Sequence, residues 1–292
     1  VRTRSRAGVS SPVEFVALDH LLHEMRLVKS RAEVKAMKKA AEISAGAHRR
    51  AMMACRPGMA EYQIEAELVH EFARHGSRQS AYPSIVAGGG NACVLHYTSN
   101  SDTLRDGDLL LIDAGAEYDY YASDITRTFP VNGKFSRSQR ALYELVLEAQ
   151  LAAIETVQPG NHWNAPHEAA VSVLSEGLVA LGLLKGRVGT IIKKEHYRKY
   201  YMHRTGHWLG MDVHDVGDYK IGGEWRVLEP GMVMTIEPGL YVAEGIKGVP
   251  RKWWNTGIRI EDDVLVTAKG HEVLTAGVPK SVQEVEALVG QG

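Results

Sequence analysis

Two aspartates flank a predicted turn in the middle of the chain, where a free carboxylate is costly. Asp113 ends the apolar run Leu109–Ile112, and Asp124 follows 11 residues later. An ionised carboxylate next to buried apolar residues must be paired or must bind a metal. A two-residue turn at 118–119 pairs residue 113 with 124, whereas a turn at 119–120 pairs it with 126. Either register places both aspartates on one face, about 5 to 8 Å apart.

Carboxylates this close repel each other unless a cation lies between them or one of them stays protonated. The alternative interpretation is a solvated hairpin that carries two unrelated acids. Taken alone, Asp113 and Asp124 leave these interpretations open.

A histidine cluster supplies a second kind of ligand. His203, His207 and His214 lie within 12 residues, in a segment that also contains glycines. A single histidine there would more often be a core residue, but three together indicate at least one metal ligand or acid–base group. The spacing alone does not say which of the three it is.

Two glutamates follow apolar strands further along the chain. Glu237 ends the run Met232–Ile236, and Glu261 alternates with Ile260, so that Arg259 shares its face and can brace a neighbouring carboxylate. Four acids and an imidazole form an oxygen-rich set that suits a divalent pair such as Mn²⁺. Two such ions activate water and polarise a carbonyl, which is the chemistry of hydrolysis.

The elements that position these residues follow from capping signals and hydrophobic period. Capping boxes at Ser30–Glu33 and Ser136–Gln139 begin two predicted helices, which end near residues 53 and 157. Two more helices are predicted over 61–75 and 165–181. Strands are predicted over 84–86, 109–114, 123–131, 233–237, 258–262 and 264–267. This order predicts a duplicated α+β fold in which helices cover one face of a curved antiparallel sheet.

Composition argues against several function classes. The 292 residues are 45% hydrophobic and 24% charged, as in ordinary globular proteins. A net charge of −1 creates no field that attracts nucleic acid or an anionic membrane. Cys55 and Cys93 suit a reducing compartment, and no apolar run approaches the roughly 20 residues of a membrane helix. We therefore expect a cytoplasmic protein without nucleic-acid or membrane partners.

The motifs taken together resemble the Xaa-Pro aminopeptidase (aminopeptidase P) family, proline-specific metallopeptidases of the creatinase/methionine aminopeptidase superfamily. The resemblance rests on the aspartate spacing, the histidine pattern and the sequences Ile236-Glu-Pro-Gly and Ile260-Glu-Asp-Asp. It also includes Leu95–Thr98 and Asp124–Phe129, and it extends from about His23 to near the C-terminus. Arg204 and Thr205 depart from the pattern, because small or apolar residues are commoner there.

The resemblance implies a pita-bread fold and removal of the first residue from peptides whose second residue is proline. Prolidase activity on Xaa-Pro dipeptides and a non-catalytic peptide-binding module are the alternatives. Two divalent metal ions, usually Mn²⁺, are implied, with the ligands Asp113, Asp124, His207, Glu237 and Glu261. Glu237 is also implied to act on the attacking water. The histidines His96, His203 and His214 are implied to bind substrate or to stabilise the tetrahedral intermediate, and Tyr241 and Arg259 to line or brace the site.

Domain organisation is also an expectation from the resemblance, since family members usually carry a further N-terminal domain. Residues 1–29 are expected to be a lead-in or linker from such a domain, and residues 30–292 the catalytic domain. The arginine-rich start Val1–Arg6 is interpreted as the end of a trimmed chain rather than as a transit peptide. The full-length protein is expected to be a homodimer or homotetramer.

Overall fold

The computed structural model describes residue 8 and residues 14–292, which form helices and antiparallel strands. The helices are α1 (Asp19–Leu27), α2 (Arg31–Ala54), α3 (Glu61–Arg74), α4 (Arg137–Glu155), α5 (Ala165–Ala180), α6 (Val188–Lys193) and α7 (Val282–Leu288). The strands are β1 (Ile85–Gly88), β2 (Leu109–Asp113), β3 (Glu117–Tyr118), β4 (Tyr121–Ala122), β5 (Thr126–Pro130), β6 (Lys220–Ile221), β7 (Glu224–Trp225), β8 (Val233–Ile236), β9 (Gly239–Val242), β10 (Thr256–Arg259), β11 (Asp262–Thr267) and β12 (Gly270–Val273). The expected α+β class is therefore confirmed.

The two longest helices begin at the predicted capping boxes. At the start of α2, the Ser30 hydroxyl accepts the Glu33 amide, and the Glu33 carboxylate accepts the Ser30 amide. Ser136 and Gln139 form the same reciprocal pair at the start of α4. All four predicted helices are confirmed. In α2 and α4 the capping box satisfies backbone donors that the first helical turn leaves free.

The hairpin that carries the two aspartates adopts the second of the two predicted registers. Asp119 and Tyr120 have φ of 48° and 68°, as a two-residue hairpin turn requires. Asp113 therefore pairs with Thr126 on the neighbouring strand. Asp124 lies diagonally across from Asp113, on the same face of the sheet.

The strands of the described residues form five antiparallel sheets, with orders β1-β2-β5, β9-β10, β8-β11-β12, β3-β4 and β6-β7. The helix pairs α2–α3 and α4–α5 each pack together. One core cluster includes Ile64, Leu68 and Phe129, and a second includes Leu142 and Leu174. Two helix pairs packed over antiparallel strands agree with the duplicated pattern that the sequence predicts.

The structure corrects one expectation. The predicted strand over 258–262 is interrupted, because β10 pairs with β9 whereas β11 pairs with β8, so that Glu261 lies between the two strands. Part of the expected lead-in is the helix α1, whose last residue Leu27 is fully buried. The Lys29 ammonium, at the end of the same segment, lies 3.0 Å from an Asp215 carboxylate oxygen. The interpretation of Val1–Arg6 falls on residues outside the described part of the chain.

None of the helices in the described residues combines the length and apolar character that spanning a membrane requires.

Candidate metal centre

All five predicted metal ligands line a single cavity of about 240 Å³. Each comes from the end of a strand or from the adjoining loop, where the backbone turns and frees a side chain to point inwards. Asp124, His207 and Glu261 each offer a ligand atom, and these three atoms lie within 4.8 Å of one another. The other two predicted ligands, Asp113 and Glu237, face the same space.

Two glycines allow the strands around the cavity to approach closely. A Cβ atom on Gly115 would lie 1.7 Å from the Ser123 carbonyl oxygen, and one on Gly206 would lie 1.9 Å from that of Thr235. Any side chain at these positions would push the aspartate hairpin or the histidine segment away from its neighbour. The glycines therefore help to set the distances between the candidate ligands.

The His207 ring is oriented as in a typical metal-binding histidine. Its Nδ1 donates to the Trp208 carbonyl oxygen at 3.0 Å, which leaves Nε2 facing the cavity. There Nε2 lies 3.4 Å from Asp124 Oδ2 and 3.7 Å from Glu237 Oε1. Burial by itself would lower the pKa of His207, but the Asp124 hydrogen bond and the two carboxylate charges raise it to about 9.

The carboxylates outnumber the cations that face them. Burial raises the pKa of Glu237 to about 7, and burial together with the neighbouring acids raises the pKa of Glu261 well above its usual range. Burial also raises the pKa of Asp113, although the Arg259 charge opposes it. For Asp124, burial is outweighed by the His207 bond and charge, which lower its pKa. Divalent cations fit this site, because it holds more acids than positive charges and offers oxygen ligands and an imidazole.

Arg259 connects several of these groups, as the sequence predicted for a bracing residue. Its Nη2 donates to Asp113 Oδ2 at 2.6 Å, and its Nη1 donates to the Tyr241 hydroxyl at 3.0 Å. Its Nε donates at 3.1 Å to the Thr126 hydroxyl, which in turn donates to Glu261 Oε2 at 2.6 Å. Arg259 and Thr126 thus fix carboxylates from two different sheets.

The three other predicted histidines have different surroundings. His203 is engaged at both nitrogens, since Nδ1 donates to the Arg204 carbonyl at 2.7 Å and Nε2 accepts from the Tyr241 hydroxyl at 2.8 Å. His96 and His214 line the cavity on its exposed side. The His214 ring lies 4.3 Å from the His207 ring, in an edge-on arrangement. The predicted roles of all three histidines remain predictions.

Tyr82 and Thr126 belong to the site, but the sequence analysis did not select them. The Tyr82 hydroxyl lies 2.7 Å from Asp113 Oδ1 and 2.5 Å from Asp124 Oδ1. Tyr82 reaches the aspartates only because β1 pairs with β2, and no local sequence pattern indicates that contact. The sequence did indicate that Thr126 lies near the site, because Thr126 is opposite Asp113 in the register with the turn at 119–120.

A candidate metal-ligand set at the strand ends of a duplicated α+β fold is the arrangement expected of a metallopeptidase. The chain belongs to metallopeptidase family M24, whose family model matches residues 35–268. This match confirms the family resemblance and the expected fold, and it makes a metal-dependent site the ordinary expectation.

The chain is also similar to individual proteins of this family. The Xaa-Pro aminopeptidase of Haemophilus influenzae is 52% identical over 269 residues, which cover 92% of this chain and 62% of that protein. The solved structure of aminopeptidase PepP of Pseudomonas aeruginosa superposes with a TM-score of 0.96 at 62% identity, covering 98% of this chain and 65% of that one. The solved structure of Zn-substituted aminopeptidase P of Escherichia coli, in complex with product, superposes with a TM-score of 0.94 at 49% identity. The match covers 98% of this chain and 65% of that one. The chain thus spans just under two thirds of the length of these relatives.

Proposed function

We propose that this chain is the catalytic part of a two-metal Xaa-Pro aminopeptidase, which removes the first residue from peptides with proline in second position. One observation carries the proposal: a single cavity gathers four carboxylates and His207, with too little positive charge to neutralise them. The similarity to proteins named Xaa-Pro aminopeptidase, at about half of the aligned positions, supports the choice of substrate.

The proposed ligands are Asp113, Asp124, His207, Glu237 and Glu261, which would hold two divalent ions. Mn²⁺ is the proposed metal, because a set dominated by carboxylate oxygens suits it and contains no thiolate. Two bound divalent ions supply Lewis acidity, which polarises a peptide carbonyl and lowers the pKa of water. Residues 30–292 would contain the whole of this centre.

Glu237 is the proposed general base and acid. Its carboxylate would accept a proton from the attacking water while the carbon–oxygen bond forms. The same proton would pass to the proline nitrogen while the carbon–nitrogen bond breaks. A side-chain exposure of 18% allows water to reach Glu237, although burial raises its pKa.

The other side chains would bind the peptide and the developing negative charge. His96 and His214 lie on the exposed side of the cavity, where their N–H groups can donate to the tetrahedral oxyanion. His203 is held between Tyr241 and the Arg204 carbonyl, so contact with substrate would require it to exchange one of these bonds. The expected cytoplasmic location and homo-oligomeric state stay predictions.

A substrate series tests the proposal. The chain loaded with Mn²⁺ is incubated with an Xaa-Pro-Yaa tripeptide, the Xaa-Pro dipeptide and an Xaa-Ala-Yaa tripeptide, and release of Xaa is measured. We expect cleavage of the first peptide only, and none by the matched variant Asp124→Asn. Cleavage of the dipeptide alone would instead identify a prolidase. Peptide binding without cleavage of any substrate would identify a non-catalytic module.

A further inference from the structure

Arg204 lies at the mouth of the metal cavity and is fixed relative to the proposed catalytic base. Its guanidinium is exposed, and the residue lines the same cavity as Glu237. The next residue, Thr205, is buried, and its carbonyl accepts the Glu237 amide at 2.8 Å. The Thr205 hydroxyl also bonds to His167 Nδ1 at 2.8 Å and to the Tyr201 hydroxyl at 2.5 Å.

Neutral partners hold the Arg204 side chain. Its Nη2 donates to Asn164 Oδ1, and its guanidinium lies 5.1 Å from the centre of the Trp225 ring. Within residues 14–292, Arg204 forms no ion pair with a carboxylate. The amide and the ring therefore orient the guanidinium and leave its charge available for a ligand.

Negative charge therefore lies on the inner side of the cavity, and the positive charge of Arg204 lies at its mouth. Its inner side carries the carboxylates, where Arg259 is already paired with Asp113 at 2.6 Å. An aminopeptidase binds the amino end of a peptide inside, so the residues after the proline leave through the mouth. In an extended peptide the third residue lies about 7 Å beyond the first. A peptide bound in this way would bring its third residue to the mouth of the cavity, where Arg204 lies.

We propose that Arg204 is a specificity-determining residue that binds a carboxylate on the carboxyl-terminal side of the substrate proline. The proposal rests on the proposed aminopeptidase function. The carboxylate is either the terminal carboxylate of a short peptide or the side chain of an acidic third residue. Both are planar anions that a guanidinium binds through two parallel hydrogen bonds.

The test compares matched peptides with the Mn²⁺-loaded chain and two variants. Xaa-Pro-Ala is compared with its amide, and Xaa-Pro-Glu-Ala-amide with Xaa-Pro-Gln-Ala-amide. The variants are Arg204→Gln and the control Lys220→Gln. Lys220 lies 4.3 Å from the centre of the same Trp225 ring but does not line the metal cavity, so its removal changes the charge without changing the mouth.

We expect the unaltered chain to have a KM about three- to tenfold lower for the carboxylate-bearing peptide of at least one pair. Arg204→Gln removes this preference and keeps kcat within about twofold, because an interaction far from the reacting atoms acts on binding. Lys220→Gln keeps the preference. A preference in the first pair alone identifies the terminal carboxylate, and one in the second pair alone identifies the acidic side chain. The proposal is overturned if Arg204→Gln leaves the preference intact or slows all four peptides equally.

Equilibrium binding separates this proposal from the proposed function. If the unaltered chain cleaves none of the peptides, the aminopeptidase proposal has failed. Calorimetric titration of the metal-loaded chain with Pro-Ala and with Pro-Ala-amide then tests Arg204 directly. Tighter binding of the free acid that Arg204→Gln abolishes supports the carboxylate site. Equal binding of acid and amide, or no binding of either, overturns it.

Discussion

Two sets of buried carboxylates adjoin each other in this fold and differ in how far other residues neutralise their charge. The neutralised group is Asp262 with its partners, and the unneutralised group is Asp113, Asp124, Glu237 and Glu261. Asp262 accepts hydrogen bonds from Arg127 at 2.7 Å, Gln150 at 2.8 Å, Thr275 at 2.7 Å and Lys280 at 2.7 Å. Burial would raise the pKa of Asp262, but the Arg127 and Lys280 charges outweigh burial and hold it at about 2. The charge of Asp262 is therefore neutralised entirely by other residues of the protein.

The candidate metal centre begins one residue earlier, at Glu261, and its acids are only partly compensated. Four acids there face Arg259 and His207, and the pKa of Glu261 lies well above its usual range. Both groups are buried, so burial alone does not mark a functional site. The difference in neutralising charge distinguishes them, because buried acids that the protein does not neutralise must either stay protonated or bind a cation.

The largest expected effect is on catalysis, from a change in the unneutralised group. Glu237→Gln keeps the side chain's size but cannot accept a proton. We expect kcat for an Xaa-Pro-Yaa peptide to fall at least about a thousandfold, since general-base catalysis and metal ligation are both impaired. Steady-state kinetics at saturating Mn²⁺ measures the change. Retention of more than a tenth of the activity would remove Glu237 from the mechanism.

A change in the neutralised group should act on stability instead. Asp262→Asn leaves the buried Arg127 and Lys280 charges without their counter-ion, so the free energy of unfolding should fall by about 3 kcal/mol. Urea unfolding of the metal-free chain measures it. Glu144→Gln, which removes half of the exposed Arg140–Glu144 pair, is the control and should change stability by about 0.5 kcal/mol or less. Equal losses of unfolding free energy in both variants would contradict the conclusion that Asp262 neutralises buried charges.

The pH dependence of the metal-free chain should reveal the unneutralised group. The pKa of His207 is raised to about 9 in the folded protein, from 6.5 when unfolded. Its stabilising contribution is therefore complete below pH 6.5 and is lost as the pH rises through 9. Between pH 7 and pH 9 we expect loss of the His207 proton to lower the free energy of unfolding by about 2 kcal/mol.

Urea titrations at several pH values, with EDTA present, measure this slope. His207→Gln should reduce it without abolishing it, because burial also raises the pKa of Glu237 to about 7 and that of Glu261 well above its usual range. The buried His48, whose ring bonds the Ala114 carbonyl, is no confounder, because burial lowers its pKa to about 4. Asp262, with a pKa of about 2, does not titrate in this window either. Stability that is flat or rising from pH 7 to pH 9 would mean that His207 is not paired with these carboxylates.

The smallest expected effect has the opposite sign to that of Asp262→Asn. Glu261→Gln removes one acid from the unneutralised group and keeps an oxygen that can accept the Thr126 hydroxyl. The metal-free chain should become more stable at pH 7 by about 1 kcal/mol, because mutual repulsion and the cost of burying charge both decrease. Thermal unfolding with EDTA measures it. A destabilisation as large as that of Asp262→Asn would place Glu261 in the structural group.

The local part of this architecture could be predicted from the sequence. Capping residues and apolar spacing gave the four long helices, and turn length limited the hairpin to two registers. The sequence did not decide between these registers, because positive φ is uncommon for a bulky residue such as Tyr120, which adopts it in this turn. Choosing His207 among the histidines needed the family resemblance, and the ring's bond to the Trp208 carbonyl supplies the physical reason.

Residues that reach the site from distant parts of the chain could not be predicted. Tyr82 precedes β1 and contacts Asp124, which is 42 positions away. Arg127 lies 135 positions from Asp262, and Lys280 lies 18 positions from it, so the local sequence did not show that Asp262 is neutralised and Glu261 is not. Both are acids beside apolar strands, and only the assembled tertiary structure shows which one is neutralised.

The central claim is that the unneutralised carboxylates hold two divalent ions, and titration calorimetry with Mn²⁺ on the EDTA-treated chain tests it most directly. We predict two Mn²⁺ ions per unaltered chain, and loss of at least one ion in Glu261→Gln. Uptake of less than one ion per chain, or uptake that Glu261→Gln leaves unchanged, would contradict the account.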